Sequence, residues 1–345
     1  MSLLFEYDIY NDQSVVVFHN YKQYKNINKL NSIENKYYDY KSFIEQSKFN
    51  SHKYFSKSKS PLYSDLVRLA KYEKTSAKEI ISYLQNLQKE EDIVKDIKNS
   101  VIVADDKSVD YYEVYNLGNA MGLYTELAKV EPFNIKSIIN FSKTFGLPTG
   151  NISFPNTFDK TLVNNSICIP SCNFVELNLQ LMEYKVIFEV FESIMMNNTE
   201  KIKEREIQYI ESTTNDSNNK HINIALRKSK LDYFKTIDDE TLLKYETEYL
   251  SDLINNSIFS KLFNWSLVST KKGHKLKSHY NNLFQFAYNQ IIHAMLKKPN
   301  FKKCEYCEHL FEAPNDKMKF CPTLPFRARS SCEMASRNKR KKKRN

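Results

Sequence analysis

The segment from Cys304 to Cys332, CEYCEHLFEAPNDKMKFCPTLPFRARSSC, decides how the end of this chain folds. Cys304 and Cys307 are separated by two residues, and Cys321 and Cys332 follow at longer intervals. A C-x2-C turn points two thiolates into one tetrahedral site, and a structural zinc site needs four such ligands. The spacing therefore predicts a structural Zn²⁺ ion held by Cys304, Cys307, Cys321 and Cys332.

Other interpretations of the cysteines are open at this point. His309 could replace Cys332 as the fourth ligand, although it lies only two residues after Cys307 and would strain the turn. The four cysteines could also be free buried thiols. A disulfide framework is disfavoured, because the chain is long enough to build a core without staples and begins with no secretory signal.

The residues around the ligands predict the form of this module. Leu310–Glu312 and residues 318–320 predict a small hairpin that turns at 315–317, with Phe311 and Phe320 covering the metal. The residues after Cys332 contain no helix breaker and predict a short helix that begins near it. Together these parts predict a C-terminal zinc module of the treble-clef or knuckle type.

A run of basic residues follows the last cysteine. Residues 301–345 contain 13 basic and five acidic residues, which give +8 of the net charge of +10 of the whole chain. Charge concentrated at one end predicts a polyanionic partner, either DNA or RNA, although a basic terminus can also serve solubility alone. The candidate nucleic-acid-binding residues are Arg327, Arg329, Arg337, Lys339, Arg340, Lys341, Lys342, Lys343 and Arg344, and Asn338 is a further candidate for base contacts.

The composition excludes some function classes. The chain of 345 residues contains only five Gly, and no G-x-G-x-x-G or Walker A segment occurs. No apolar run approaches the roughly 20 residues that a transmembrane helix needs. The sequence therefore predicts a soluble, cytoplasmic protein.

The rest of the chain predicts a mainly α protein. Residues 3–10 and 15–18 predict a small N-terminal β-hairpin, 101–103 a short strand, and 76–97 and 111–130 helices. Further helices are predicted from Asn134 to Gly146, over 174–197, from Asp239, and over 278–297, with a polar break at 213–219. The predicted regions are an N-terminal α+β region (1–130), a helical domain (131–300) and the zinc module with its basic tail (301–345).

The order of these parts resembles the bacterial CGNR zinc-finger proteins, whose partner domain is called ABATE. The resemblance rests on Cys304, Cys307, Phe311, the Phe320-Cys321 pair, Cys332 and the basic segment from Arg337, with a weaker outline over 135–300. It implies that the cysteines bind zinc and that the protein is a DNA-binding regulator of transcription. The chain departs from the group after Cys332, where Glu333-Met334-Ala335 stands in place of Gly-Asn-Arg.

These observations favour a nucleic-acid-binding protein that contacts phosphates through the zinc module and tail. They are also compatible with a homodimer. The alternatives are an enzyme, such as a nuclease or a toxin-like effector, and a protein-interaction scaffold. The sequence does not contain the H-E-x-x-H, G-x-S-x-G, deaminase or H-N-H spacings, so no catalytic residue is predicted. Asp105-Asp106 and Asp238-Asp239 could bind Mg²⁺, but a helix N-cap explains the second pair better. Cys168 and Cys172 are interpreted as small buried thiols, and His293 as a residue at the core edge.

Overall fold

The computed structural model describes residues 13–24, 100–104, 112–149, 154–155, 171–212, 220–256, 264–270, 273–297 and 299–342. Helices dominate these residues, and the strands form small antiparallel sheets. The elements are, in chain order, β1 (Gln13–Phe18), β2 (Tyr21–Tyr24), β3 (Val101–Ala104), β4 (Tyr112–Asn116), α1 (Leu123–Ala128), α2 (Ile135–Phe145), β5 (Phe154–Pro155), β6 (Ser171–Asn173), α3 (Phe174–Met195), α4 (Thr199–Ser212), α5 (Lys220–Thr236), α6 (Asp239–Asn256), β7 (Asn264–Thr270), β8 (Gly273–His279), α7 (Leu283–Lys297), β9 (Phe301–Lys303), β10 (Leu310–Glu312) and α8 (Ser331–Lys342).

The chain divides into two compact units. The first contains the described residues before 50, between 97 and 181, and from 259 onward, and the second contains the described residues of 182–258. This division cuts across the three predicted regions, because described parts of 1–130 fall in the same unit as 301–342. Independent folding of the three regions stays a prediction.

The first unit contains two three-stranded sheets and the two-stranded sheets β7-β8 and β9-β10. One three-stranded sheet has the order β4-β1-β5 and the other β2-β3-β6. The strand β1 pairs with β4 from Ser14 opposite Asn116 to Phe18 opposite Tyr112, so the partner lies about 100 residues away in the sequence. Residues 3–10 of the predicted N-terminal hairpin lie outside the described residues, as do 76–97 and 213–219.

Helix α2 matches the predicted capping signals. The Asn134 side chain accepts hydrogen bonds from the amides of Lys136 and Ser137, and Gly146 ends the helix with a φ of 89°. A Cβ atom on Gly146 would lie 2.9 Å from Val15 Cγ1, so the glycine also permits the helix end to approach β1. The Tyr115 hydroxyl donates to the Phe145 carbonyl, which ties α2 to β4 as well.

Three predicted elements differ from the structure. Within 111–130, Tyr112–Asn116 forms a strand because it pairs with the distant β1. The α-helix in this range is limited to Leu123–Ala128. The last helix of the body begins at Leu283 instead of 278, since Gly273–His279 is a strand paired with β7. The predicted strand at 318–320 is absent, and β10 pairs instead with β9, before the cysteines.

The second unit is formed by helices. The boundary between the two units falls within α3, between residues 181 and 182. The observed range of α3, 174–195, confirms the prediction of a long helix over 174–197. A core cluster in this unit contains Ile202, Ile210, Phe234, Ile237 and Leu242.

A charged group lies beside this core in the second unit. The Arg205 guanidinium forms ion pairs with Glu246, which is fully buried, and with Glu206. Buried charges of this kind need partners, because an unpaired charge in the interior is costly.

None of the helices within the described ranges combines the length and the apolar character needed to cross a bilayer.

Candidate metal centre

The first two cysteines lie in the turn that joins β9 to β10. These strands pair from Lys303 opposite Leu310 to Phe301 opposite Glu312. The Cys304 amide donates to the His309 carbonyl at 3.0 Å, and the Glu308 amide donates to the Cys304 carbonyl at 2.9 Å. Glu308 adopts a φ of 61°, a left-handed conformation that lets the chain turn back after Cys307. The turn therefore directs Cys304 and Cys307 toward the same point.

The other two cysteines come from a loop and from a helix. The Glu305 amide donates to the Lys319 carbonyl at 2.9 Å, which holds the segment before Cys321 against the turn. Cys332 lies in the first turn of α8, which confirms the prediction of a helix that begins near this residue. The Ser330 carbonyl and hydroxyl accept from the amides of Met334 and Glu333, so Ser330 caps the helix.

The four cysteines form one cluster. Their Sγ atoms all lie within 4.8 Å of one another, with 3.5 Å between Cys307 and Cys321 and 3.7 Å between Cys307 and Cys332. A tetrahedral ion with metal–sulfur bonds of about 2.3 Å places its sulfur ligands about 3.8 Å apart, whereas a disulfide would need about 2 Å. The cluster could therefore hold a metal ion, and Cys332, not His309, completes it.

Backbone amides and burial act in opposite directions on these thiols. Burial raises the pKa of Cys304, but amides of Cys307, Tyr306 and Cys321 stabilise its thiolate and lower the pKa to about 7. Burial and the neighbouring Cys307 raise the pKa of Cys332 to about 12. Burial also raises the pKa of Cys321, together with the negative charges of the other cysteines. A cation at the centre of the cluster would allow all four thiols to ionise together.

Apolar side chains surround the sulfur atoms. Phe311 is fully buried and forms a core with Cys304, Cys321 and Ala313, and Met318 and Phe320 pack against it. Phe311 and Phe320 therefore pack with the cysteines, and their covering of a bound metal stays a prediction. Such a covering limits the access of water and of competing ligands to the thiolates.

Lys129 contributes a positive charge from a distant part of the chain. Its Nζ atom lies 3.4 Å from Cys321 Sγ and 2.5 Å from Glu126 Oε1, although Lys129 and Cys321 are 192 residues apart in the sequence. Burial lowers the pKa of this lysine, but Glu126 and Cys321 raise it by more, so the side chain stays charged. The sequence carries no local signal for this contact.

Three further contacts join the cluster to residues 112–129 in the first unit. The Tyr124 hydroxyl donates to Glu312 Oε2 at 3.2 Å. The Tyr115 and Phe326 rings meet edge to face, with 5.6 Å between their centroids. A Cβ atom on Gly122 would lie 3.4 Å from Pro322 Cγ, so the start of α1 lies close to the loop after Cys321. The cluster is therefore packed against β4 and α1.

The basic residues predicted to bind nucleic acid lie mainly on α8 and on the loop before it. Arg327 donates to Ser331 Oγ at 3.1 Å, and Arg337 pairs with Glu333 at 2.5 Å along the helix. Four other predicted residues have exposed side chains, namely Arg329, Lys339, Arg340 and Lys341. Lys342 is the last residue of α8. Lys343 and Arg344 lie outside the described residues. The cations lie toward the C-terminal end of α8, where the helix dipole favours positive charge.

The other residues considered for chemistry form no second cluster. Cys172 is a buried thiol in β6, and burial raises its pKa to about 12, while Cys168 lies outside the described residues. His293 is half-buried on α7, and burial together with Lys297 lowers its pKa. Throughout the described ranges, the four cysteines are the one group of three or more potential ligands close enough to hold a metal ion.

The acidic pair at 238–239 has a structural role. The Asp238 carboxylate accepts from the Thr241 amide at 2.9 Å and thereby caps α6, and Asp239 pairs with Lys203 at 3.1 Å. The hydrogen bonds from the Thr241 backbone and hydroxyl lower the pKa of Asp238. The interpretation of this pair as a helix N-cap is confirmed, and Asp105-Asp106 lies outside the described residues.

Comparison with protein-family models, with curated proteins and with solved structures finds no match to this chain. The resemblance to the CGNR zinc-finger group stays a prediction.

Proposed function

We propose that the protein binds nucleic acid through the basic C-terminal end of α8 and the arginines before the helix, with a structural Zn²⁺ holding this surface in place. The observation that carries the proposal is the position of Cys332, which is both a member of the cysteine cluster and a first-turn residue of α8. A metal at the cluster would fix the start of the helix that carries most of the positive charge.

Zinc is the proposed metal because of the ligand set. Four thiolates at tetrahedral spacing favour Zn²⁺ or an iron–sulfur centre, whereas Mg²⁺ and Ca²⁺ prefer oxygen ligands. The C-x2-C turn between two short strands and a final ligand in the first turn of a helix are typical of a treble-clef-like structural zinc site. Metal analysis of the purified protein should find one zinc per chain.

Electrostatics supports phosphates as the ligand. The charge of +8 over residues 301–345 would fall to about +6 when a Zn²⁺ ion binds four thiolates. Phosphate contacts of this kind position a nucleic acid and release counterions, but they do not read its sequence. A role in the regulation of transcription would need base contacts in addition, for which Arg327 and Arg329 on the loop are candidates.

The proposal is tested by a salt titration of binding to random-sequence DNA and RNA. The zinc-loaded full chain is compared with a chain that ends at Ser336 and so lacks Arg337 and the six cations from Lys339 to Arg344. The logarithm of the affinity should fall linearly with the logarithm of the salt concentration, and the slope should be nearly −1 for each phosphate neutralised. Truncation should make this slope less steep by several units.

A matched control separates the basic helix from general charge. The double variant Lys317→Gln and Lys319→Gln removes two cations from the same module but leaves α8 intact, whereas truncation removes seven. The change in slope per cation removed should therefore be much smaller in the double variant than in the truncated chain. Equal slopes for the full and truncated chains, or no binding of either nucleic acid at low salt, would contradict the proposal. Shortening of the labelled oligonucleotides would favour the nuclease alternative.

A further inference from the structure

Two aromatic side chains are exposed beside the metal centre. Tyr306 and Phe326 are each 46% exposed, and Met334 on α8 is 48% exposed. Of the seven large hydrophobic side chains that are exposed within the described ranges, these three lie in residues 301–342. Exposed aromatic rings in a segment with an excess of positive charge indicate a surface that is covered by a partner.

Phe326 is held in place although it is exposed. Its ring meets the edge of Tyr115, which is itself buried, and its backbone adopts a φ of 64°. A left-handed conformation is costly for a bulky residue, so the position of this ring is fixed by the surrounding loop. The next residue is Arg327, and Arg329 follows two positions later with its side chain exposed. An exposed aromatic ring and two arginines therefore share this short loop segment.

Tyr306 presents a second ring from the turn of the cluster. Tyr306 lies between Cys304 and Cys307 in the turn that joins β9 to β10, and its side chain is 46% exposed. Tyr306 is adjacent to Cys307, and Cys307 Sγ lies 3.5 Å from Cys321 Sγ, five residues before Phe326. Tyr306 thus lies in the cysteine turn and Phe326 in the loop after Cys321, two segments that the cluster brings together.

We infer that the ligand of this surface is single-stranded nucleic acid, whose bases stack on Phe326 and Tyr306 while its phosphates contact Arg327, Arg329 and the cations of α8. The inference rests on the proposed function and specifies its substrate class. A duplex hides the faces of its bases, whereas a single strand offers them to aromatic side chains. Aromatic rings combined with a positively charged surface are the combination by which proteins bind single strands without reading their sequence.

The test compares three 20-nucleotide ligands of equal length: a single strand, its duplex, and a strand in which all bases are removed. Full-length zinc-loaded protein and the variant Phe326→Leu are titrated with each ligand, in DNA form and, for the first two ligands, in RNA form. Phe326→Leu should weaken binding of the single strand by about tenfold, because stacking of one base on an aromatic ring contributes on that scale. Its affinity for the duplex and for the abasic strand should stay within about twofold of the unmodified chain.

Controls keep a folding defect apart from a loss of stacking. Phe326→Tyr retains an aromatic ring and should restore the affinity for the single strand, and Tyr306→Leu should weaken that affinity in the same selective way. All variants are checked for one bound zinc and for an unchanged melting temperature. Equal losses on all three ligands, or no loss on the single strand, would overturn the inference while the proposed function stands. If the unmodified chain bound none of the ligands in a salt-dependent way, the proposed function itself would be overturned.

Discussion

Lys129 is the residue whose contact with the metal centre has the clearest energetic consequence. Its ammonium group lies 3.4 Å from Cys321 Sγ and is 20% exposed, so its charge acts on the thiolate with little screening by solvent. With the proposed Zn²⁺ bound, four thiolates and one ion would leave an excess of negative charge, which this ammonium group would reduce. Lys129→Met should therefore lower the zinc affinity by about tenfold, the lower end of the range for outer-shell partners of metal ligands.

The measurement is a competition for zinc between the protein and a chelator of known affinity. Lys319→Met is the matched control, because Lys319 lies two residues before Cys321 but pairs with Glu305 on the surface, with 64% of its side chain exposed. The control should change the zinc affinity by less than twofold. An unchanged affinity in Lys129→Met would show that the nearby charge does not tune the metal site.

At the scale of single residues, the sequence predicts the members of the cysteine cluster better than it predicts their surroundings. The four cysteines and Phe311 are recognised from spacing alone, since a C-x2-C turn and an adjacent apolar residue are local features. Lys129 cannot be found in this way, because its contact depends on the packing of α1 against residues 192 positions further along the chain. Glu308 is also unexpected, as glycine is the usual residue for a left-handed conformation.

Among the elements, α2 offers the most direct test of a cap. The Asn134 side chain accepts from the amides of Lys136 and Ser137, each at 3.1 Å, which satisfies two of the free donors at the helix start. Asn134→Ala should lower the free energy of unfolding of the first unit by about 1 kcal/mol. Denaturation by urea, followed by circular dichroism, measures the change.

Asn140 provides the comparison within the same helix. This residue is also an exposed asparagine, but it lies in the middle of α2, where alanine has the higher helix propensity. Asn140→Ala should therefore leave the stability unchanged or raise it by a few tenths of a kcal/mol. If the two variants lowered the stability equally, the hydrogen bonds of Asn134 would not explain its effect.

The elements that the sequence predicts well are those specified by local signals. Asn134 and Gly146 mark the two ends of α2, and the spacing of apolar residues marks α3. The strand β4 is missed for a different reason, since a strand is stabilised by a partner that the local sequence does not reveal. The strands β7 and β8 are also missed, although they are neighbours in the sequence and pair with each other. In β4 the partner is β1, about 100 residues earlier, and the short β9 and β10 pair across the cysteine turn instead of after it.

For the whole molecule, the contacts of the cysteine cluster raise the question of how far the metal stabilises the fold. Cys321 contacts Lys129, and Glu312 and Phe326 on either side of it contact Tyr124 of α1 and Tyr115 of β4, all within the first unit. A structural zinc site supplies much of the folding free energy of the residues that surround it. If residues 301–345 fold as a separate module, as predicted, loss of a bound metal would unfold only that segment. If the contacts with α1 matter for stability, loss of the metal would also destabilise α1.

Hydrogen exchange of Cys304→Ser distinguishes the two cases. We expect the amides of 301–342 and of α1 to lose protection, because removal of one ligand releases the metal and the surface on which α1 packs. The amides of α4 and α6, which lie in the second unit, should keep their protection. Removal of zinc from the unmodified chain by a chelator should reproduce this pattern, since both treatments empty the same site. Loss of protection limited to 301–342 would support the separate module, and loss throughout α4 and α6 would mean that the two units unfold together.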